Sequence, residues 1–181
     1  RVLAHMANEQ AMIKAFNDGI DIHTLTAKNL YGVEANQVDS TMRRHAKVIN
    51  FGIIYGMSDW GLADDLGIGV KQASQFKEKY FASYPGIQDY FKKTLNDANE
   101  SLVVKTLFNR ARKVNELKDR NFNIREFGKR VVMNTPIQGT AADIIKLAMV
   151  KVDELLEKNN FKTRMLLQVH DELVFEVPIE E

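Results

Sequence analysis

Four side chains at four-residue intervals carry the clearest chemical signal in the sequence: Arg43, Lys47, Phe51 and Tyr55. Each four-residue step along an α-helix overshoots a full circle by about 40°, so the four form one slowly rotating stripe about 18 Å long. Two cations followed by two rings suit a polyphosphate followed by a sugar and a base. Arg43 offers a planar fork of donors and Lys47 a compact point charge. Phe51 offers a flat apolar wall and Tyr55 a stacking platform. Val48, Ile49, Ile53 and Ile54 fall mainly on other faces and would bury the helix. Gly52 and Gly56 weaken a helix, which points to close approach of another group or to a bend. Spacing alone favours a plainer reading, an amphipathic helix with exposed cations and buried aromatics.

Other polar groups recur in compact clusters. His170-Asp171-Glu172 lies between two apolar runs, so two carboxylates fall in or beside a tight turn. Adjacent strand residues point to opposite faces, so Asp171 and Glu172 do not share one ligand equally. A single carboxylate helps to hold Mg²⁺, but that ion also needs other carboxylates, waters and substrate phosphates. By itself the tetrapeptide Val-His-Asp-Glu is a polar turn. Asn134 and Gln138 present amides that suit sugar, phosphate or minor-groove acceptors. Alone they belong to an ordinary helix–break–helix with Gln138 exposed. His23 follows a helix start, where a capping or surface histidine is the ordinary case. Lys105, Arg110, Arg112, Lys113, Lys118, Arg120, Arg125, Lys129 and Arg130 crowd one stretch, opposed there only by Glu116, Asp119 and Glu126. Such a cluster neutralises phosphates or, more simply, forms a solvated and salt-bridged surface.

The elements that must position these groups read mostly as helix. Val2, Leu3, Met6, Met12, Ile13 and Phe16 give helical apolar spacing near the start. Asp21 caps a helix over Ile22 to Tyr31 that Gly32 ends, and Asp39 or Ser40 caps another running to about Gly56. Helices follow over Asp59 to Leu66, Val70 to Ser83 and Gly86 to Glu100. Leu102 to Leu107 is β-branched and strand-like. Asn123 to Asn134 is helical, Pro136 interrupts it, and Thr140, or less favourably Gly139, starts an amphipathic helix running to Glu157. Met165 to Val169 and Leu173 to Val177 form a hairpin. The fold class is mainly α with a small antiparallel β element.

Composition sets the outer bounds. The 181 residues, 45% hydrophobic, fit one domain or a domain with a piece of a second. The absence of cysteine excludes disulfides and thiolate metal sites and suits a reducing cytoplasm. No apolar run approaches the roughly 20 residues of a membrane helix. Arg1-Val2-Leu3-Ala4-His5 is not a signal peptide and reads as the interior of a longer chain. The net charge of +1 discriminates little between partners.

As a unit, these segments resemble family A DNA polymerases of the bacterial DNA polymerase I type, over essentially the whole chain. Arg-x-x-x-Lys-x-x-Asn-Phe-Gly-x-x-Tyr-Gly, the family's motif B, is matched without a gap from Arg43 to Gly56. Asp21-Ile22-His23-Thr24, the decapeptide Asn134 to Asp143 and the motif C run Val169-His170-Asp171-Glu172 match as well. The basic stretch departs at Asn109, where many members have glycine, at Ala111, where they have arginine, and over Lys113-Val114-Asn115. The resemblance implies a right-hand polymerase with fingers helices and a palm β-hairpin: a palm-to-fingers helix over 1–20, fingers over 21–130 and a palm segment over 131–181. It implies a dNTP site of His23, Arg43 and Lys47 on the triphosphate and Phe51 on the sugar. Tyr55 would occupy the template-base position until the fingers close.

Arg130, Asn134, Gln138 and His170 would meet DNA near the primer end. Asp171, Glu172 and Lys47 would be catalytic, with Asp171 a Mg²⁺ ligand and Glu172 a weaker metal partner. Two-metal phosphoryl transfer needs further carboxylates. The family supplies an essential one from motif A, which would precede Arg1, so the chain alone is expected not to polymerise. Primer–template DNA, dNTP and the remaining palm and thumb are the implied partners, in a monomeric, cytoplasmic, nucleoid-associated enzyme. The alternatives are a non-catalytic helical nucleic-acid-binding module and, with less support, an unrelated metal-dependent hydrolase using Asp171 and Glu172.

Overall fold

A computed structural model describes residues 1–181, arranged as eight α-helices and two two-stranded antiparallel sheets. Two short helices, α1 (Val2–Met6) and α2 (Gln10–Asn17), open the chain. They replace the single helix expected over residues 1–20. Asn8 turns the chain with φ 49°, and the Glu9 carboxylate caps α2 by accepting from Ala11 N. That break lets the apolar faces of both helices reach the core: Leu3, Ala4, Met12 and Ala15 are all buried.

The caps expected at Asp21 and Asp39 are present, and Ser58 adds a third that was not expected. In α3 (Ile22–Tyr31), Asp21 accepts from the His23 and Thr24 amides, and Gly32 closes the helix in the left-handed region. In α4 (Ser40–Ile54), Asp39 accepts from Met42 N at 2.7 Å. In α5 (Asp59–Leu66), Ser58 caps the start and Gly67 ends it. α6 (Val70–Ser83) and α7 (Pro85–Ser101) are separated only by Tyr84, with proline at the first helical position of α7, where its missing N–H costs nothing. The main core lies among α1 to α7, around Leu30, Ile49, Leu62, Tyr80, Tyr84 and Ile87, all almost fully buried, and Ile137 of the last helix joins it. Burial of six such side chains stabilises the fold by roughly 1.5–3 kcal/mol each before entropy is subtracted.

The strand expected over Leu102 to Leu107 is shorter. Leu102 has φ 55° and closes α7, leaving β1 as Val103–Lys105. It pairs with β2 (Ala111–Lys113), a strand hidden in the sequence because Ala-Arg-Lys has no strand composition. Asn109 occupies the tip with φ 63°, a conformation that asparagine tolerates better than most residues, so the departure from glycine there keeps a left-handed backbone.

The largest difference from expectation is α8 (Phe122–Lys158), one helix of 37 residues that runs through Pro136. A proline inside a helix removes one hydrogen bond and costs about 3 kcal/mol. Packing on both sides outweighs that cost. Val132 and Thr140, four residues either side, are fully buried, as is the Pro136 ring, and the Thr140 hydroxyl accepts from Leu107 N at 2.9 Å. The break expected at Pro136 and the new helix start at Gly139 or Thr140 are therefore absent. A second small core joins α7, β1 and α8 through Ala98, Val104, Val114, Leu117, Val131 and Val132. The chain ends in the expected hairpin, β3 (Arg164–Val169) and β4 (Glu172–Glu176), with Val169 opposite Glu172. No helix is long and apolar enough to cross a membrane.

Candidate nucleotide and nucleic-acid interface

The sequence of α4 divides it cleanly into two faces. Ala46, Ile49, Asn50 and Ile53 are buried, while Arg43, Lys47, Phe51 and Tyr55 are exposed. Both rings keep 43% of their surface open, so the plainer reading, with aromatics in the core, does not hold. Phe51 and Tyr55 lie nearly parallel, 14° between planes and 6.3 Å between centroids. The His23 ring, carried by the first turn of α3, lies 6.1 Å from Phe51. The structure thus gathers all five residues of the expected nucleotide site on adjoining turns of α3 and α4.

Arg43 is held by a residue that the sequence presents only as a helix cap. Its Nε donates to Asp21 Oδ2 at 2.7 Å. The bond holds the Asp21 carboxyl well below the usual carboxylate range, assisted by the Thr24 hydroxyl and the His23 amide. Burial pushes the His23 imidazole below its ordinary value; Asp21 acts against that shift, and Arg43 and Lys47 reinforce it. His23 is therefore a neutral ring at neutral pH, between two fixed cations and one carboxylate.

The far end of the stripe runs into a cleft. α4 closes with Gly56 at φ 63°, its N–H donating to Ile53 O while Met57 N reaches Gly52 O at 2.8 Å, a Schellman closure. A Cβ on Gly56 would stand 2.2 Å from Met133 Cε and 3.2 Å from Arg130 Cγ. The close approach expected of Gly56 is therefore to α8. Gly52 is looser, with its nearest neighbour Met57 Sδ at 3.4 Å from a built Cβ. Where α4 meets α8 there is an open cleft of about 460 Å³, lined by Tyr55, Arg130, Asn134 and Gln138 together with Arg110 and Arg112 of the β1–β2 hairpin. A larger groove of about 800 Å³, lined by Met6, Tyr90, Val104 and Pro136, includes none of the expected site residues.

Arginines anchor the hairpin to the cleft. Arg110 pairs with Asp143 at 2.7 Å and donates to Gly139 O at 3.0 Å, while Arg112 reaches the Thr135 hydroxyl at 3.3 Å. A Cβ on Gly139 would lie 2.7 Å from Thr106 Cγ2, so a small residue is needed where the hairpin crosses α8. Asn134 Oδ1 is buried without a hydrogen-bond partner at the edge of this cleft. Of the nine clustered cations only Arg110 and Lys129 form ion pairs, so the cluster is not the self-neutralised surface of the plain reading.

The motif C residues are placed apart from this assembly. His170, at φ 53°, and Asp171 form the turn between β3 and β4; Glu172 belongs to β4. All three are exposed, and no hydrogen bond, ion pair or ring contact links their side chains to the stripe or the cleft. No group of three His, Cys, Asp or Glu residues converges here or elsewhere, so the donors in this chain do not make a metal centre by themselves. The hairpin and the second half of α8 leave Leu166, Leu167, Val169 and Val174, and Ile144, Leu147 and Val150, exposed.

Comparison with known proteins gives a consistent picture. The profile of DNA polymerase family A matches residues 1–181. DNA polymerase I of Geobacillus stearothermophilus and that of Bacillus subtilis are each 49% identical to this chain over 181 residues; that of Caldicellulosiruptor bescii is 48% identical. The match takes in the whole chain but only 21% of each of those proteins. Among solved structures, the POL domain of Pol1 from M. smegmatis, in complex with DNA primer-template and dNTP, superposes with a TM-score of 0.94 at 38% identity. That similarity covers 99% of this chain and 32% of the other.

Proposed function

Because the chain belongs to DNA polymerase family A, we propose that it supplies the fingers and part of the palm of a template-directed DNA polymerase. The reaction is deoxynucleotidyl transfer from a dNTP to a primer 3′ end. The exposed row Arg43, Lys47, Phe51 and Tyr55, with His23 beside it, carries this reading. Asp21 occupies the Nε edge of Arg43 and leaves both Nη groups without a partner, so the guanidinium meets phosphate in a fixed orientation. Lys47, free of any ion pair, adds charge at the reacting phosphates and acts as a catalytic residue. Phe51 packs on the sugar, and Tyr55 covers the template-base position at the mouth of the cleft. Arg130, Asn134, Gln138 and His170 serve the primer–template.

Asp171 is proposed to contribute one Mg²⁺ ligand, with Glu172 nearby, to a centre completed by carboxylates of the remaining palm; the residues present here do not complete it. The chain alone is accordingly expected not to extend primers. In domain terms, residues 1–20 lead from palm to fingers, 21–130 form the fingers and 131–181 the palm segment. The 130/131 boundary falls inside α8, so this helix joins the two. The apolar face of the hairpin and α8 is the surface for the rest of the palm. The enzyme is read as a monomer acting on chromosomal DNA in the bacterial cytoplasm.

Primer extension by the polymerase that carries this chain, compared with its Lys47→Ala variant, tests the proposal. The expected result is template-dependent extension with an apparent dNTP KM raised about tenfold or more in the variant, the scale of a lost charged hydrogen bond. Binding of primer–template with no extension would favour a non-catalytic nucleic-acid-binding module instead.

A further inference from the structure

Asn50 stands on the buried side of α4, next to Phe51, with 7% of its surface open. A polar side chain in that position must have its hydrogen bonds satisfied. Asn50 Nδ2 lies 3.1 Å from His23 Nδ1 and 3.2 Å from Thr26 Oγ1, and Thr26 Oγ1 lies 3.1 Å from the Tyr84 hydroxyl. An amide nitrogen only donates, and its two hydrogens account for these two contacts. His23 Nδ1 must then present a lone pair. In a neutral imidazole the hydrogen is consequently on Nε2.

We infer that Asn50 is a positioning residue that fixes His23 as the Nε2–H tautomer, so that the ring offers a donor, rather than a lone pair, to the triphosphate. This rests on the nucleotide-binding reading of the α3–α4 face. Without Asn50, neither ring nitrogen is assigned and part of the population turns a lone pair toward phosphate.

The charged surroundings keep the ring neutral while leaving its tautomer open. Asp21 faces it from the N-cap of α3, and Arg43 and Lys47 face it from α4. Behind Thr26, burial keeps the Tyr84 hydroxyl protonated, with the Glu9 carboxylate acting in the same direction. Phe51, on the open side, is uncharged. Of these groups, only Asn50 hydrogen-bonds a ring nitrogen of His23.

The test replaces the donor with an acceptor, Asn50→Asp, in the polymerase that carries this chain. A carboxylate at this position holds hydrogen on Nδ1. The neutral ring then turns a lone pair toward phosphate, while the protonated ring still donates from Nε2. The variant-to-parent ratio of dNTP KM is expected to rise with pH, from near one at about pH 6.5 to about tenfold at about pH 9. In a His23→Ala background the same ratio should not change with pH. A ratio independent of pH in the His23 background, or an equal pH dependence in the His23→Ala background, would overturn the inference. Long-range ¹H–¹⁵N spectra of the ¹⁵N-histidine-labelled parent, with His23 assigned through His23→Ala, decide the tautomer without the Asp variant. An unprotonated Nδ1 is expected, and a protonated Nδ1 refutes it. If the parent enzyme extends primers yet His23→Ala leaves dNTP KM unchanged, the nucleotide role of His23 fails while the spectrum still reports the tautomer.

Discussion

Arg43 Nε donates to Asp21 Oδ2 at 2.7 Å, so the residue that caps α3 also orients the first cation of the α4 stripe. The two roles separate in Asp21→Ser, since serine still caps a helix but has no charge. Stability is expected to fall by less than about 1 kcal/mol, because the ion pair is largely exposed and screened. The apparent dNTP KM is expected to rise several-fold, since Arg43 loses its fixed orientation. The pH dependence follows from the depressed Asp21 pKa. A carboxylate with a lowered folded-state pKa stabilises the fold above its unfolded value, near 4, and that contribution is lost as pH falls through the lower folded value. The difference in Tm between parent and variant should therefore be constant above about pH 5 and shrink in more acidic solution. A difference that grows on acidification would refute the ion pair.

The role proposed for Phe51 is to pack on the sugar. It is half-exposed, stacked with Tyr55 and flanked by His23. Phe51→Tyr adds a hydroxyl where the sugar 3′ oxygen would otherwise be the nearest polar group. Discrimination against 3′-deoxy nucleotides is expected to fall by about tenfold or more in competition assays of chain termination, because the new hydroxyl replaces a lost hydrogen bond. Unchanged selectivity would place the sugar elsewhere.

Gly56 joins the end of the α4 stripe to the cleft. Gly56→Ala puts a side chain in the left-handed region, which costs about 1–2 kcal/mol. It also requires Met133 to move, because the new Cβ would meet Met133 Cε at 2.2 Å. We expect a loss of about 1–3 kcal/mol in denaturant unfolding and weaker primer–template binding, since Arg130 lies on the same contact. Met133→Ala in the Gly56→Ala background removes the steric part, and partial recovery of binding is the expected sign.

Much of this arrangement was legible in the sequence because it is local. Caps at Asp21 and Asp39, stops at Gly32 and Gly67 and the four-residue stripe depend on neighbours along the chain, and each lies where the residues require. The larger failures are cases where distant contacts override a local preference. Pro136 breaks a helix on its own terms, but packing of Val132 and Thr140 carries α8 through it. β2 has no strand signature and exists because β1 and α8 hold it. The exposure of Phe51 and Tyr55 was not decided by spacing, since a stripe of rings is equally compatible with a core; the family resemblance weighed against that, and the position of α3 against α4 resolves it. Asp21 and Asn50 were visible as residues but not as supports for Arg43 and His23, because those pairings join positions more than 20 residues apart.

The cleft between Tyr55 and the β1–β2 hairpin allows a test of the nucleic-acid partner that does not depend on catalysis. Arg112 bonds only the Thr135 hydroxyl and Arg130 forms no ion pair, so both have charge available for phosphate. Arg110 is different: its guanidinium is committed to Asp143 and Gly139. Each arginine that neutralises a backbone phosphate contributes about 0.9 to the slope of log affinity against log salt. Arg112→Ala and Arg130→Ala should each reduce that slope by about one and weaken primer–template binding at low salt, with little dependence on sequence. Arg110→Ala should instead lower stability, since it removes the ion-pair partner of the Asp143 carboxylate and the bond to Gly139 O. A salt slope unchanged in both Arg112→Ala and Arg130→Ala would remove the duplex from this cleft.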